Sequence, residues 1–352
     1  MRGRSPSPAR RVLLQPAIGA ARAQRGAALL LAMLILTLVA TLAAGMVWQQ
    51  ERSLRVEAAE RARAQSLWIL SGALDWARLI LREDLRSARN QGQPPVDSLD
   101  EPWATPLAEA RLSTFLAADR DNNVDSGPEA FISGAIVDAQ ARWNLRRLVD
   151  ASGNIVLTEY AVLEALCNRA NLPGGTAAQL AEGLRQAWGP PTAAAAAGQP
   201  SPAMPLPGFA DVPLAPERLV DLSWLGVAPE ALQRLAPWMD ILPVPTPVNL
   251  NTAPREVLAA AVDGLDLGGA ERLVQARQRK PFASIEEAKA LLGETQMNDA
   301  TRVSVSSAWF EVTGRLRLED RAVEERSLLE RRPNEVVVVR RERLNLVLGR
   351  PS

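Results

Sequence analysis

The chain has 352 residues, 40 basic and 40 acidic side chains, no histidine and one cysteine, and its formal net charge is zero. The length points to about two domains of roughly 150 residues each, and a hydrophobic content of 47% is enough for a packed core, which excludes full disorder. The lack of histidine excludes imidazole triads, ligands and proton shuttles, and the single Cys167 excludes an intrachain disulfide or a cysteine-clustered zinc site. Cys167 lies in the apolar run AVLEALCNRA, which favours a buried small hydrophobe over a reactive thiol.

The neutral total hides a strong segregation. Residues 1–26 carry Arg2, Arg4, Arg10, Arg11, Arg22 and Arg25 and no acid, a charge of +6. Residues 27–50, AALLLAMLILTLVATLAAGMVWQQ, carry no charge. The remainder holds 34 basic and 40 acidic groups and is −6. As a helix the apolar segment rises about 36 Å, against a hydrocarbon core of about 30 Å. The arginines before it predict a cytoplasmic N-terminus, a body across the membrane, and Trp48 at the far interface.

Three readings fit this start. A cleaved secretory signal would use Ala43-Ala44-Gly45 as its site, but the apolar stretch is longer than a signal core and runs straight into a helical pattern. A plain uncleaved anchor is the second. The third is a type IV prepilin signal, in which a basic leader ends in glycine and cleavage precedes the apolar segment. Gln24-Arg25-Gly26-Ala27-Ala28-Leu29 has that layout.

Residues 51–90 contain no proline, and Leu54, Ala58, Ala62, Leu67, Leu70, Leu74, Ala77 and Leu81 recur at helical spacing. One continuous helix from about Ala27 to about Arg89 is expected, apolar all round at first and amphipathic afterwards. Its second half needs a soluble domain to pack on. The prolines of residues 91–106 end it, and a short helix is expected over residues 107–118. In residues 119–129, DRDNNVDSGPE, the donors Asp119, Asp121, Asn123 and Asp125 alternate as in a calcium loop. Val124 stands where that loop needs glycine, and no glutamate closes it, so an Asx-rich turn is the preferred reading. Phe131–Val137 reads as a strand, and Trp143, Leu145 and Leu148 as buried.

Residues 158–188 are helical by pattern, with a break at Leu172-Pro173-Gly174-Gly175. Residues 190–216 form a Pro/Ala-rich linker, and residues 216–242 are expected to be helical again. The segment 248–293 resembles a helix-hairpin-helix unit. Asn251 or Thr252 is expected to cap a helix carrying Pro254 in its first turn, and Ser284 with Glu287 to form a capping box. Residues 249–293 hold six bases and six acids, and Asp263 and Asp266 flank the hairpin where phosphate would approach. DNA binding is therefore disfavoured. At the C-terminus, residues 303–318, 322–331 and 335–348 read as three strands of an antiparallel meander, with Phe131–Val137 a candidate fourth. Arg331, Arg332, Arg340, Arg341 and Arg343 read as edge arginines that keep the sheet soluble.

From Arg25 to about Leu348 the chain resembles the minor pseudopilin K family of type II secretion (general secretion pathway protein K). RGAALLLAMLIL, LDEPWA (99–104), IVDAQARWNLRRLV (136–149), VNLNTAPREVLAA (248–260), PFASIEEAKALL (281–292) and VSVSSAWFEVTG (303–314) carry the resemblance. It implies an α+β, pilin-like fold: a long membrane-spanning N-terminal helix packed on an antiparallel sheet, with a large inserted helical domain of helix-hairpin-helix or SAM-like type. The expected organisation is a cleaved leader 1–26, a transmembrane half-helix 27–50, the first part of the pilin-like domain 51–157, the insertion 158–300, and C-terminal strands 301–352. A prepilin peptidase would cut between Gly26 and Ala27 and methylate the Ala27 amine. Leu31 occupies the place of the usual pilin glutamate, an acid this family also lacks. The implied role is a non-enzymatic pseudopilin at the tip of an inner-membrane-anchored, periplasmic pseudopilus that exports folded proteins. Implied partners are minor pseudopilins I and J, with H and the major pseudopilin G, and no nucleic acid. The alternative is a membrane-anchored hairpin protein of DNA uptake. The family's calcium loop and nearby disulfide have no counterpart in residues 190–216 or at Cys167, so no cofactor is expected. The leader is long for the class, which points to a translation start downstream of Met1.

Overall fold

A computed structural model describes residues 21–112, 130–189, 213–292, 301–318 and 321–347. The chain divides into two units, Met1–Leu67 and Trp68–Ser352. A 70-residue helix, α1 (Ala21–Asn90), contributes to both.

In the first unit every residue from Ala27 to Gln50 is exposed. The hydroxyls of Thr37 and Thr41 donate to the Leu34 and Leu38 carbonyls, both at 2.9 Å, so neither is left bare on an apolar helix. By length and composition this helix can cross a membrane. Charge returns at once beyond it. Arg52 lies 5.8 Å from the Trp48 ring, and Glu57 pairs with Arg61 one turn on. Leu54, Ala58 and Ala62 of the expected stripe are exposed, a correction to that reading. The buried stripe begins later in the helix.

The second unit is built on a five-stranded antiparallel sheet, in the order β1 (Leu107–Arg111), β2 (Ala130–Asp138), β7 (Trp309–Leu318), β8 (Arg321–Arg331), β9 (Val336–Val347). Leu70, Leu74, Ala77 and Leu81 form one buried helical face of α1. They pack on Trp103 and on Phe310, Val312 and Leu316, alternate residues of β7. Between β2 and β7 the chain forms α2 (Leu157–Arg169), α3 (Thr176–Trp188), α4 (Pro229–Leu235), α5 (Arg255–Ala261), α6 (Leu267–Arg279) and α7 (Ile285–Leu292). These helices share one apolar core, in which Trp143, Leu145, Leu148 and Cys167 are buried. Two short parallel pairs brace them: β3 (Trp143–Asn144) with β4 (Met239–Asp240), and β5 (Val248–Asn249) with β6 (Val303–Ser304).

Two local expectations are corrected. Residues 107–111 form strand β1, not a helix, because they pair with the edge of β2, with Leu107 opposite Gly134 and Arg111 opposite Phe131. Tertiary pairing overrides the helical preference of LAEAR. Residues 216–242 are not one helix. A 3-10 segment, Leu219–Leu225, stops at the left-handed Gly226 (φ 81°), Pro229 then starts α4, and Met239–Asp240 turns into strand.

Candidate functional site

The sequence motifs converge on one buried polar joint. Asp138 ends β2, and its Oδ1 accepts from the Gln140 amide at 2.8 Å. Its Oδ2 accepts three further bonds: from Asn249 Nδ2 at 2.9 Å, Thr252 Oγ1 at 2.6 Å and Ser307 Oγ at 2.6 Å. Burial pushes the Asp138 carboxyl above the usual range, and the three side-chain donors oppose that shift. Asn249 Nδ2 also reaches the Asp97 carbonyl at 3.1 Å. Gln140 ties Pro247 to Ala308, donating to one and accepting from the other.

Asn251 and Thr252 therefore do not cap α5, whose N-cap is Pro254 with no side-chain bond. Thr252 is engaged by Asp138. Asn251 exchanges two bonds with the backbone of Phe282, at 2.9 and 3.0 Å, and so ties the α6–α7 connection to β5. Arg277 donates to the Leu250 carbonyl at 2.6 Å, and its burial pulls its pKa down to about 10.

A second buried knot adjoins the joint. Asp97 accepts from the Ser307 amide at 2.7 Å and from Arg331 Nη2. Arg331 Nη1 pairs with Asp84 of α1 at 2.7 Å, and its guanidinium lies 4.8 Å from the Phe310 ring. Arg331 is thus a buried clamp, not an edge arginine. Arg341 and Arg343 likewise hold the buried Glu325, at 3.3 and 2.7 Å. The oxygens of Asp84, Asp97 and Glu101 lie within 4.8 Å of one another. Arg331 engages the first two, and Trp103 Nε1 donates to Glu101. The positive charge among these carboxylates is an arginine of the chain itself. Burial, then the neighbouring Asp84, raises the Glu101 pKa to about 8.

The hairpin is closed to phosphate by its own acids. Asp266 caps α6, accepting from the Gly269 amide at 2.7 Å, and Asp263 pairs with the buried Arg302 at 2.6 Å. Ser284 caps α7 as expected, accepting from the Glu287 amide at 3.3 Å. Glu287 returns to the amide of Ala283, one residue short of a full capping box.

Gly26 and Ala27 lie in the first turns of α1, with Leu31 exposed on it. Asp119, Asp121, Asn123 and Asp125 lie outside the described residues. Cys167 is buried, and burial raises its thiol pKa to about 11, so it is inert near neutral pH. Sequence reasoning missed Asp97 and Arg331. Asp138 was visible only as part of its motif.

A long helix with an apolar first half able to cross a membrane, packed through its later turns on an antiparallel sheet with a helical insertion, is a pilin-like arrangement. A chain of the GspK-GspI-GspJ complex of the enterotoxigenic Escherichia coli type 2 secretion system has the same fold: TM-score 0.53, 19% identity, 81% of this chain and 98% of that chain covered. Residues 248–306 match the family model of type II secretion system protein K. Proteins of that name from Pseudomonas aeruginosa and Pectobacterium carotovorum are 28% and 29% identical over 306 and 340 residues. These alignments cover 85% and 91% of this chain and 86% and 96% of theirs. Over most of its length the chain is thus similar to type II secretion system protein K.

Proposed function

We infer that the chain is a minor pseudopilin that caps the type II pseudopilus and supports its assembly and the export of folded proteins across the outer membrane. A prepilin peptidase removes residues 1–26 and methylates the amine of Ala27. The helix from Ala27 anchors the chain in the inner membrane, and the acidic body lies in the periplasm. Its partners are the minor pseudopilins I and J, then H and the major pseudopilin G. The relative of known structure comes from a complex of K, I and J, which supports the first two.

One observation carries this reading. The NLNT motif, which opens DNA-binding hairpins in other proteins, here points Asn249 and Thr252 into the buried carboxylate of Asp138. Its polar atoms bind the protein to itself. The joint also lacks the parts of an enzyme. The Ser307 and Thr252 hydroxyls both donate to a single carboxylate, and the chain has no imidazole to activate either.

Leu31 fits a tip position. A carboxylate within a bilayer is costly without a partner, and a subunit with none above it has no amine to meet.

Intact mass of the membrane-extracted protein tests the processing. Loss of residues 1–26 plus one methyl group is expected, and cleavage after Gly45, or none, overturns the reading. A gel shift of the full chain with duplex DNA tests the alternative. Salt-sensitive binding near neutral pH would replace secretion with DNA uptake.

A further inference from the structure

Buried charges in this fold are matched. Asp97 meets Arg331, Glu159 meets Arg147, Asp240 meets Arg142 and Glu325 meets Arg343. Arg218 and Asp263 do the same for Asp221 and Arg302. Asp138 has its four donors. Among the described residues one buried charge is left over, Arg277 near the end of α6. It is 8% exposed and donates once, from Nη1 to the Leu250 carbonyl at 2.6 Å. No carboxylate offsets it, and burial alone lowers its pKa. An arginine is rarely buried without a counter-charge, because withdrawing its own charge from water is costly.

The two remaining nitrogens of this guanidinium form its open side. Nε and Nη2 make no bond to the chain. Elsewhere in the protein the same pair of atoms grips a carboxylate: Arg185 holds Glu182 through Nε at 2.9 Å and Nη2 at 2.7 Å. Side-chain nitrogens sealed from water without a hydrogen-bond partner do occur in this fold, at Arg142 Nε and Arg302 Nε. Those of Arg277 are not sealed in this way, so each keeps surface that a ligand can reach. The Leu250 bond fixes the group before any ligand arrives, which lowers the ordering cost of binding.

We propose that Arg277 is a receptor for one carboxylate, whose two oxygens accept from Nε and Nη2. Both groups are planar, so the bidentate pair forms without rearrangement. A carboxylate carries one charge and leaves the pair neutral. A phosphate dianion would leave a negative charge with no second cation to meet it. Lys280, one turn on, is held by Glu287 at 2.9 Å. Arg279 lies two positions on, where a helix presents a different face. The carboxylate comes from a small free acid or from an acidic side chain of a partner protein. None of this rests on the secretion role.

The test uses the full chain in phosphatidylcholine nanodiscs with isotopically labelled arginine, and follows the Nε–H resonances by NMR. The Arg277 signal is the one lost in Arg277→Lys. Arg277→Met identifies it should that variant fold poorly. The probes are acetate, the capped amino acid N-acetylglutamate amide and inorganic phosphate, at one ionic strength set with chloride. Acetate should shift the Arg277 signal saturably and about tenfold more tightly than it shifts exposed arginines, the worth of one charge-assisted hydrogen bond. Saturation by the capped glutamate at a lower concentration than acetate supports a protein side chain as the source, and the reverse order supports a small acid. A shift that never saturates, or one no tighter than at exposed arginines, overturns the proposal. So does tighter binding of phosphate than of either carboxylate.

Discussion

Thr252 donates its hydroxyl to Asp138 across 2.6 Å, joining residues 114 positions apart in the chain. Through this bond the helical insertion is fixed to the end of β2. Thr252→Val keeps the shape but removes one of the four donors that hold a fully buried carboxylate. The expected loss is about 1–3 kcal/mol of unfolding free energy. Ser307→Ala should cost a similar amount. Because both hydroxyls serve the same oxygen, the double variant should deviate from additivity by at least about 0.5 kcal/mol. Denaturant unfolding measures all three, and strict additivity would show that the joint is not one network.

The Asp97–Arg331 pair should be more sensitive. Arg331→Met leaves the carboxylate of Asp97 buried without its counter-charge, with an expected loss of about 3–5 kcal/mol. Asp97→Asn combined with Arg331→Met should recover part of that loss, since the fully buried charge is gone and only the partly exposed Asp84 is left without its arginine. Thermal unfolding of the two variants decides this. A double variant no more stable than Arg331→Met would show that the charge itself is not the problem.

Much of this arrangement was legible in the sequence, and the reason for each failure is physical. Leu70, Leu74, Ala77 and Leu81 repeat at helical spacing, and Phe310, Val312, Gly314, Leu316 and Leu318 alternate as a strand must. Both patterns are local, and both elements form as expected. Strand β1 was hidden because Leu, Ala, Glu and Arg are helix formers, and only the edge of β2 makes LAEAR extended. Asp97 and Arg331 lie 234 residues apart, and neither shows its partner in its own neighbourhood. Arg331 looked like its neighbours Arg332 and Arg340, since a buried and an exposed arginine are written alike. The NLNT motif was conspicuous, but its ligand, a carboxylate of the same chain, was not.

Glu101 gives the second unit a defined pH dependence. Its pKa rises from 4.5 in the unfolded chain to about 8 in the folded one, through burial and the nearby Asp84, against the Trp103 bond and Arg331. A raised carboxyl pKa means that the folded state holds the proton more tightly. Its stabilising effect is therefore complete below pH 4.5 and is lost as the pH rises toward 8. Glu101→Gln mimics the protonated form. The variant should match the wild type near pH 5 and unfold at a higher temperature than the wild type near pH 8. Equal pH slopes in the two proteins would place the titrating group elsewhere.

Asp266 tests what the hairpin is for. Its carboxylate accepts from the Gly269 amide and so fills the N-terminus of α6, the place where a hairpin would otherwise receive a phosphate. Asp266→Ala should cost about 0.5–2 kcal/mol, the usual loss of a helix cap, while Asp266→Ser, which keeps an acceptor, should cost less. Neither variant should gain DNA binding at physiological salt. Residues 249–293 still balance six bases against their remaining five acids, and Arg302 still holds Asp263 beside the hairpin. Circular dichroism melts give the capping energy, and gel shifts at two salt concentrations give the binding. A salt-sensitive complex that appears only when Asp266 is removed would mean that one carboxylate alone keeps this fold from nucleic acid. The wider charge balance and the buried NLNT joint would then matter less than that single cap.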